Sequence, residues 1–503
     1  MPSLSKRRRL QLACLSIFGA AGLAGAQQLC AAGELRVYPV PQALLYAAHN
    51  DDYTVRVRTP GGAWQSLYEY RIRVDNDTLQ NASLVYFDFS GKVELEIEKN
   101  NGNFTTADVL PRQPGIAMQR SGSVVRMTLD KPERFSVQFD GDRLHNLHIL
   151  AGELPPDRPA GDNVIYFGPG IHTPPEGTNR FPVKSGDRIY LAGGAVLRGS
   201  FALDHVENVK ISGRGLLYNA GSPVDLDGAS DIDIRDLIVV NDERNDAARV
   251  MNIRNSQNVS VSQISGFTSG KWSDGLNIST SRHVHIDGGY LRVSDDGVVV
   301  YAVTDCPICR NHPIAPVGPP GATQPADTFD ITARNLTIWN DVAHSLFVGH
   351  FGDADAPRTI SDVTFEKIKI VNFDEDDPMW DGVMSIYSGN ATFIKNVTFS
   401  DIDVQRIEEG RLLNIVAGQT KLTIASAQAN KRPGRGIDGL TLRNIHYTGE
   451  GLPSRSIISG LSPSTAVRNV TIENLTLGDR TAISPETADI DVGPFVEKLT
   501  IKK

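Results

Sequence analysis

The sequence has few cysteines, few aromatic residues, no long basic segment and no long apolar run beyond its N-terminus. Three of these shortages argue against a class of protein. Four cysteines in 503 residues are too few for a disulfide-built scaffold. No later segment approaches the about 20 apolar residues that cross a bilayer, which argues against a membrane partner. A net charge of −9 without a long basic segment argues against nucleic acid as a partner. The composition, 40% hydrophobic and 22% charged, is typical of one large or two ordinary globular domains.

The N-terminus has the parts of an export signal. Basic residues at 7–9 precede an apolar stretch at 10–23 and small residues at 24–26. We predict a signal peptide region at 1–32 and a secreted or periplasmic protein. Cleavage after Ala26 leaves Cys30 unpaired, whereas cleavage after Ala32 removes it. Further on, Cys306 and Cys309 in "CPIC" permit a local disulfide, half a zinc site or a redox pair, of which we favour the disulfide.

Residues 33–160 contain short runs in which apolar and polar residues alternate, such as "YTVRVRT", "EYRIRVD" and "KVELEIEK". Alternation over four to eight residues, interrupted by Gly, Asn and Asp, indicates half-buried antiparallel strands. We predict an N-terminal β-sandwich domain. The Pro- and Gly-rich stretch "AGELPPDRPAGDN" marks its end.

From residue 161 to 503 the sequence repeats a phrase of two short strands joined by Asn, Asp or Gly, as in "VENVKISGRGLL" and "VRNVTIENLTLG". The steps between repeats run from 23 to 45 residues, which fits fixed coils that carry loop insertions. Stacked units of this kind build a continuous core, so we predict an all-β protein with a right-handed parallel β-helix here. A propeller or a second sandwich is the alternative, but the shortest steps are half a propeller blade. The alignment equates the first apolar residue of each repeat: Val209, Ile232, Val259, Val284, Phe329, Val363, Val397, Leu440 and Val470.

Two aspartate-bearing stretches, "KWSDGLNIST" and "RVSDDGVVVY", lie one short coil apart. Asp274 precedes Asp295 by 21 residues and Asp296 by 22, and stacked coils are about 4.8 Å apart. The three carboxylates should therefore meet, and their repulsion should leave one of them protonated near neutral pH. One acid and one or two bases are what glycosidic hydrolysis uses. The alternative is that the Asp-Gly pairs only form turns. His350, in "FVGHFGD", falls about one coil later once an insertion at 305–327 is removed.

The series "SDGLNI", "SDDGVVVY" and "GHFG" resembles the motif order of glycoside hydrolase family 28, the polygalacturonases. The two-part layout and "LTIWNDVAHSLFVGH" resemble family 49, the dextranase and isopullulanase group. The resemblance implies a pectate-lyase-like β-helix enzyme that inverts the anomeric centre without a metal or other cofactor. It implies that Asp295 is the general acid, that Asp274 and Asp296 activate water, and that His350 lies beside them. Trp272 and Ser273 replace the Asn-Thr of family 28, and "GHFG" replaces its Gly-His-Gly.

The coil "DGVMSIYSGN" lacks the basic residues with which polygalacturonases grip a uronate, so we expect a neutral saccharide, such as a dextranase-like α-glucan. A polygalacturonase-like pectin hydrolase and a non-catalytic carbohydrate-binding β-helix are the alternatives. The oligomeric state is not predicted. The expected substrate-binding residues are those that could stack on or bond a sugar: His350, Trp272, Asn277, Trp380 and Tyr387.

Two further features have competing interpretations. The acidic loop "NFDEDDPMWDG" could bind calcium, but its oxygen ligands lack regular spacing. We therefore favour the interpretation that it is a solvated loop beside the cleft. Arg411 could contact substrate, or it could form a surface pair with Glu408 or Glu409.

Overall fold

The computed structural model describes residues 33–503 except 113–114, 156–157, 242, 244–245, 304–326, 353–356, 376, 379–380 and 420–431. The predicted signal region, Cys306, Cys309 and Trp380 lie outside the described residues. Within the described ranges, regular structure is almost entirely strand, and the helical element is a short 3-10 turn at Gln42–Leu44. No helix in this part of the chain is long and apolar enough to cross a membrane.

The N-terminal region forms two sheets that share one hydrophobic core. Their orders are β1-β5-β11-β10-β7, with β4 beside β5, and β3-β2-β6-β9-β8. Alternation in the sequence points Val55 and Leu95 of the second sheet toward Phe87 and Val137 of the first. The predicted boundary near 160 stays a prediction, because residues 33–503 form one compact unit. The strands are β1 Leu35–Arg36, β2 Tyr53–Arg58, β3 Gln65–Ser66, β4 Tyr70–Val74, β5 Gln80–Phe89, β6 Val93–Lys99, β7 Ala107–Leu110, β8 Gln119–Ser121, β9 Val124–Leu129, β10 Glu133–Phe139 and β11 Leu147–Glu153.

The rest of the chain winds through a 17-stranded and an 11-stranded sheet whose strands pair almost entirely in parallel with the next coil. Apolar side chains from both sheets fill one continuous core. The predicted all-β parallel β-helix is confirmed. Its strands are β12 Val164–Phe167, β13 Gly170–His172, β14 Arg180–Phe181, β15 Arg188–Leu191, β16 Ala195–Leu197, β17 Ser200–Asp204, β18 Lys210–Gly213, β19 Leu216–Tyr218, β20 Val224–Asp227, β21 Ser230–Arg235, β22 Ile238–Val240, β23 Arg249–Arg254, β24 Gln257–Phe267, β25 Asp274–Ser279, β26 Arg282–Val293, β27 Val298–Ala302, β28 Thr328–Asn340, β29 Leu346–Gly352, β30 Thr359–Asn372, β31 Met384–Ser388, β32 Phe393–Val404, β33 Leu413–Ala417, β34 Gly436–Tyr447, β35 Ser456–Ser459, β36 Val467–Leu477, β37 Arg480–Thr481, β38 Ile490–Val492 and β39 Val496–Lys502.

The register of the coils follows the repeat read from the sequence, with one error. Val363 pairs with Val397, as the alignment predicts. The partner of Val284, however, is Ile331 and not Phe329. Asp330 between them has a φ of 53°, which interrupts the extended backbone. Phe329 consequently lies outside the core, and its ring packs edge-on against a histidine of the neighbouring coil.

Asparagine and aspartate residues in the left-handed region turn the long strands of the 17-stranded sheet. In β32 these residues are Asn396, with a φ of 54°, and Asp401, with a φ of 55°. Asn and Asp tolerate this conformation better than other non-glycine residues. Their side chains also bond between coils: Asn396 donates to Asp362 at 3.0 Å, and Asn444 donates to Asp401 at 2.8 Å. Each coil thus gains two fixed corners.

A fully buried ion pair joins the N-terminal sheets to the β-helix. Arg292 of β26 and Asp341 are both 0% exposed, and their side chains meet at 3.0 Å. Two partners come from the N-terminal region: Asn146 accepts a hydrogen bond from Arg292 at 2.7 Å, and the backbone N–H of Asp75 donates to Asp341 at 3.0 Å. The N-terminal region therefore supplies hydrogen bonds to both charges of this buried pair.

Candidate active site

The three predicted carboxylates meet at the start of two neighbouring strands. Asp274 is the first residue of β25, and Asp295 and Asp296 lie just before β27, which pairs with β25 in parallel. One oxygen from each carboxylate lies within 4.8 Å of one from each of the others. The predicted meeting of the three side chains is therefore confirmed.

The glycines after these aspartates allow the coils to approach closely. A Cβ atom on Gly275 would lie 2.2 Å from the carbonyl oxygen of Gly297, and one on Gly297 would lie 2.5 Å from that of Ser345. Both distances are far shorter than van der Waals contact. The glycines of the Asp-Gly pairs are therefore needed for close packing between coils. The interpretation that these pairs only form turns does not explain this close approach.

Asp274 has a positively charged partner. Arg249, the first residue of β23, approaches it with Nε at 3.1 Å, and Asn277 donates to the same carboxylate at 2.7 Å. Burial raises the pKa of Asp274 to about 6, with the negative charge of Asp296 adding to the rise and Arg249 opposing it. This carboxylate can therefore give up its proton below neutral pH.

Asp295 has no such partner among the described residues. It is half-buried and accepts hydrogen bonds from the backbone N–H groups of Trp272 at 3.0 Å and Asp296 at 2.9 Å. Burial first, and then the charges of Asp274 and Asp296, raise the pKa of Asp295 well above its usual range. Asp295 therefore holds its proton at pH values at which an ordinary aspartate is ionised.

Asp296 is bonded by a histidine that the sequence reasoning missed. The Nδ1 atom of His344 lies 2.7 Å from Asp296, and its backbone N–H donates to the same oxygen at 3.0 Å. The His344 ring stacks on Phe347 at 4.0 Å. Tyr301 donates its phenolic hydroxyl to the other oxygen of Asp296 at 3.2 Å. Burial and the charge of Asp296 raise the pKa of Tyr301, which keeps this donor protonated.

His350 lies on the coil that the sequence predicts, since β29 pairs with β27. Its side chain is 1% exposed and packs near Phe347 and Tyr387. The histidine whose bonds to Asp296 are described above is His344, six residues earlier. The sequence signal for His344 was that it lies directly before a strand. Asp296 lies at the same position on the preceding coil. A substrate contact by His350 stays a prediction.

The other predicted substrate-binding residues differ in exposure. Trp272 is 52% exposed, and its backbone N–H donates to Asp295. Asn277 is buried and supports Asp274. Tyr387 is only 6% exposed, and its hydroxyl donates to the carbonyl of Gln419, so its ring presents little surface for stacking. Their roles toward a sugar stay predictions.

Arg411 pairs with a residue that neither interpretation named. Its Nε lies 2.6 Å from Asp381, which also accepts a hydrogen bond from Asn414 at 3.1 Å. The predicted pair with Glu408 or Glu409 is therefore wrong, because Arg411 starts the coil that follows Asp381 and points back at it. Backbone hydrogen bonds place these residues in the same row of strand starts as the carboxylate site.

In the acidic loop, Asp374 faces an arginine. Arg143 of the N-terminal region contacts Asp374 at 3.4 Å, Asp75 at 2.6 Å and Glu408 at 3.0 Å. Burial and the charge of Glu408 raise the pKa of Asp374 to about 7. Asp374 of this loop is thus paired with a guanidinium.

The carboxylate site itself could ligate a cation, since Asp274, Asp295 and Asp296 each offer an oxygen. Arg249 already supplies a positive charge to this group, and a proton on Asp295 would supply another. The donor set thus suits proton transfer without a metal ion. The expectation of no metal cofactor stays a prediction.

Comparisons with known proteins identify the fold. No protein-family model and no curated protein matches the sequence. Among solved structures, Dex49A from Penicillium minioluteum superposes with a TM-score of 0.58 at 13% identity, over 90% of this chain and 94% of that one. The chain has the β-helix glycoside hydrolase fold. The family 28 exopolygalacturonase of Yersinia enterocolitica aligns over 82% of this chain and 96% of its own, at 12% identity and a TM-score of 0.45. At these identities the likeness establishes the fold alone.

Proposed function

We propose that this protein is an exported glycoside hydrolase that cleaves a neutral polysaccharide or oligosaccharide. The observation that carries the proposal is the electrostatic division among three carboxylates within 4.8 Å of one another. Asp274 has a basic partner, Asp296 has a histidine and a phenol, and Asp295 accepts from two backbone N–H groups. A binding protein has no need of such a group, because repulsion between its members costs stability.

The division assigns the roles. Asp295 holds its proton and donates it to the leaving glycosidic oxygen. Asp274 and Asp296 are the bases that hold the attacking water and accept its proton. This assignment agrees with the one that the resemblance to families 28 and 49 implies. Acid and base roles of this kind are usually assigned from a difference between the pKa values of neighbouring carboxyl groups.

We further propose that the reaction is a single displacement with inversion. A water that forms hydrogen bonds of about 2.7 Å can bridge two oxygens up to roughly 5.4 Å apart, so Asp274 and Asp296 can share one. The water oxygen attacks the anomeric carbon while the bond to the leaving oxygen breaks. Inverting enzymes more often separate their carboxyl groups by about 6.5–9.5 Å. The anomeric configuration of the first product, read by NMR, therefore tests this step directly.

A neutral substrate fits the charges along the row of strand starts. Arg249 and Arg411, the arginines described in this row, are each paired with an aspartate. Neither is left to neutralise a uronate. The resemblance of the sequence to family 49, the dextranase group, favours an α-glucan. Pectin hydrolysis and carbohydrate binding without cleavage are the alternatives.

The test is release of reducing ends from neutral α-glucans, arabinans, fructans and polygalacturonate by the wild type and by Asp295→Asn. Removal of a general acid lowers turnover by about 10²–10⁴-fold. Asp287→Asn, which alters an exposed aspartate on the outer face of the 17-stranded sheet, is the matched control and should retain full activity. Activity on polygalacturonate alone would contradict the neutral substrate, and binding without cleavage would contradict the hydrolase.

A further inference from the structure

A cavity separate from the carboxylate site lies where the N-terminal region packs on the 17-stranded sheet. It has a volume of about 450 Å³ and opens between β7 of the N-terminal region and the outer ends of β28, β30 and β34. This volume is within the range of small-molecule sites. The cavity shares none of its lining residues with the carboxylate site. Its floor is a small buried cluster of Leu110, Trp339 and Val371.

Two buried donors in the lining have no hydrogen-bond partner among the residues that the structure describes. They are the indole Nε1 of Trp339 and the amide Nδ2 of Asn372, which are cross-strand partners on adjacent coils. A buried donor left without an acceptor costs about 1–3 kcal/mol, so an oxygen atom placed here would be stabilising. The Trp339 ring cannot easily turn its N–H elsewhere, because the guanidinium of Arg292 lies 4.4 Å from its centroid and His148 packs edge-on against it.

The rim of this cavity is polar and balanced in charge. Asp108, Arg112, Arg406 and Glu450 are all exposed, and they give two charges of each sign. The loop that carries Glu450 is fixed by the hydroxyl of Tyr447, which donates to the carbonyl of Gly451 at 2.5 Å. A rim without net charge, but rich in donors and acceptors, favours a neutral ligand with several hydroxyl groups.

We propose that this cavity is a second carbohydrate site, which binds a neutral mono- or disaccharide without cleaving it. Sugar oxygens accept hydrogen bonds from Trp339 and Asn372 at the floor. Sugar hydroxyls donate to Asp108 and Glu450 at the rim. An apolar floor with a few polar groups at its edge is the usual construction of such sites. The proposal does not depend on the proposed hydrolysis.

The experiment uses the full chain with Asp295→Asn, to prevent cleavage, and isomaltose as the probe. Crystals soaked in isomaltose should show a sugar in the cavity, bonded to Trp339 and Asn372. In solution, saturation-transfer NMR should give a binding signal that remains when Trp272→Ala is added to weaken the cleft. Loss of one charged hydrogen bond in Glu450→Ala or Arg406→Ala should raise the Kd of that remaining signal by about tenfold.

Rim variants are chosen because a change at Trp339 could unfold the protein. Lys369→Ala, on the same face but outside the cavity, should leave the Kd unchanged. Water alone in the soaked cavity, or a remaining signal that Glu450→Ala and Arg406→Ala leave unaltered, would overturn the proposal. Sugar in the cavity of a protein that cleaves no glycan would uphold it and refute the hydrolase, so the two proposals fail separately.

Discussion

The ion pair between Arg249 and Asp274 is the most informative interaction to break. The guanidinium is held in place by a second hydrogen bond, from Nη1 to the carbonyl of Ala247 at 2.9 Å, and both side chains of the pair are buried. An opposite charge this close lowers a carboxyl pKa by about 1–3 units. Arg249→Gln should therefore raise the pKa of Asp274 from about 6 by that amount.

The direction of the effect on rate follows from the role of Asp274 as a base. A base must be ionised, so the acidic limb of kcat/KM against pH should move upward by about 1–3 units. At pH 5, which lies below both pKa values, the ionised fraction falls about 10–1,000-fold, and the loss should diminish as pH rises above the new value. Arg249→Lys keeps a positive charge and should show a smaller shift.

The assay is kcat/KM on the active glycan between pH 4 and 9. Breaking a buried pair costs about 3–5 kcal/mol when the remaining charge is uncompensated, so the Tm of each variant must be measured beside its rate. An acidic limb that stays in place in folded Arg249→Gln would refute the assignment of Asp274 as a base. A rate loss equal at every pH would do the same, since it would indicate disrupted geometry instead of altered ionisation.

Two more predictions concern His344 and Glu69. His344→Gln removes a charge-assisted hydrogen bond to Asp296 and should lower kcat by about 10–100-fold, more than His350→Gln does; the reverse order would return the supporting role to His350. Burial raises the pKa of Glu69 to about 8, above its unfolded value, so its ionisation should progressively lower stability as pH rises from about 4.5 to about 8. Glu69→Gln, which can still accept a hydrogen bond from Ser83, should match the wild type at pH 4 and exceed it by about 4–5 kcal/mol at pH 9 in urea unfolding. Parallel pH curves for the two proteins would contradict this.

The coils and the meeting of the carboxylates could be predicted because both depend on spacing alone. Strand phrases repeat at the length of one coil, and the separation of Asp274 from Asp296 equals the 22 residues between paired Leu276 and Val298. Stacking of the coils then brings these side chains together, so their meeting could be predicted without knowing the conformation of the turns.

The partners of the carboxylates could not be predicted in this way. Arg249 and His344 lie at or just before strand starts, where the local turn decides whether a side chain faces the cleft or solvent. The pairing of Arg411 with Asp381 depends on the same geometry. Phe329 was aligned as a core residue because it is the first apolar residue of its phrase. The core position instead follows a left-handed residue, which is Asp330 in this coil and His283 in the coil before.

The buried pair of Arg292 and Asp341 has a consequence for how the N-terminal region and the β-helix could be exchanged during evolution. Exchange of one part of a chain by recombination requires that the remaining part be stable once separated. Here, loss of the N-terminal strands would strip Asn146 and the Asp75 N–H from two charges that are otherwise sealed from water. Hydrogen bonds to charged groups contribute about 1.5–3 kcal/mol each, a large share of ordinary stability. The two parts should therefore be transmitted, lost and diversified as one unit.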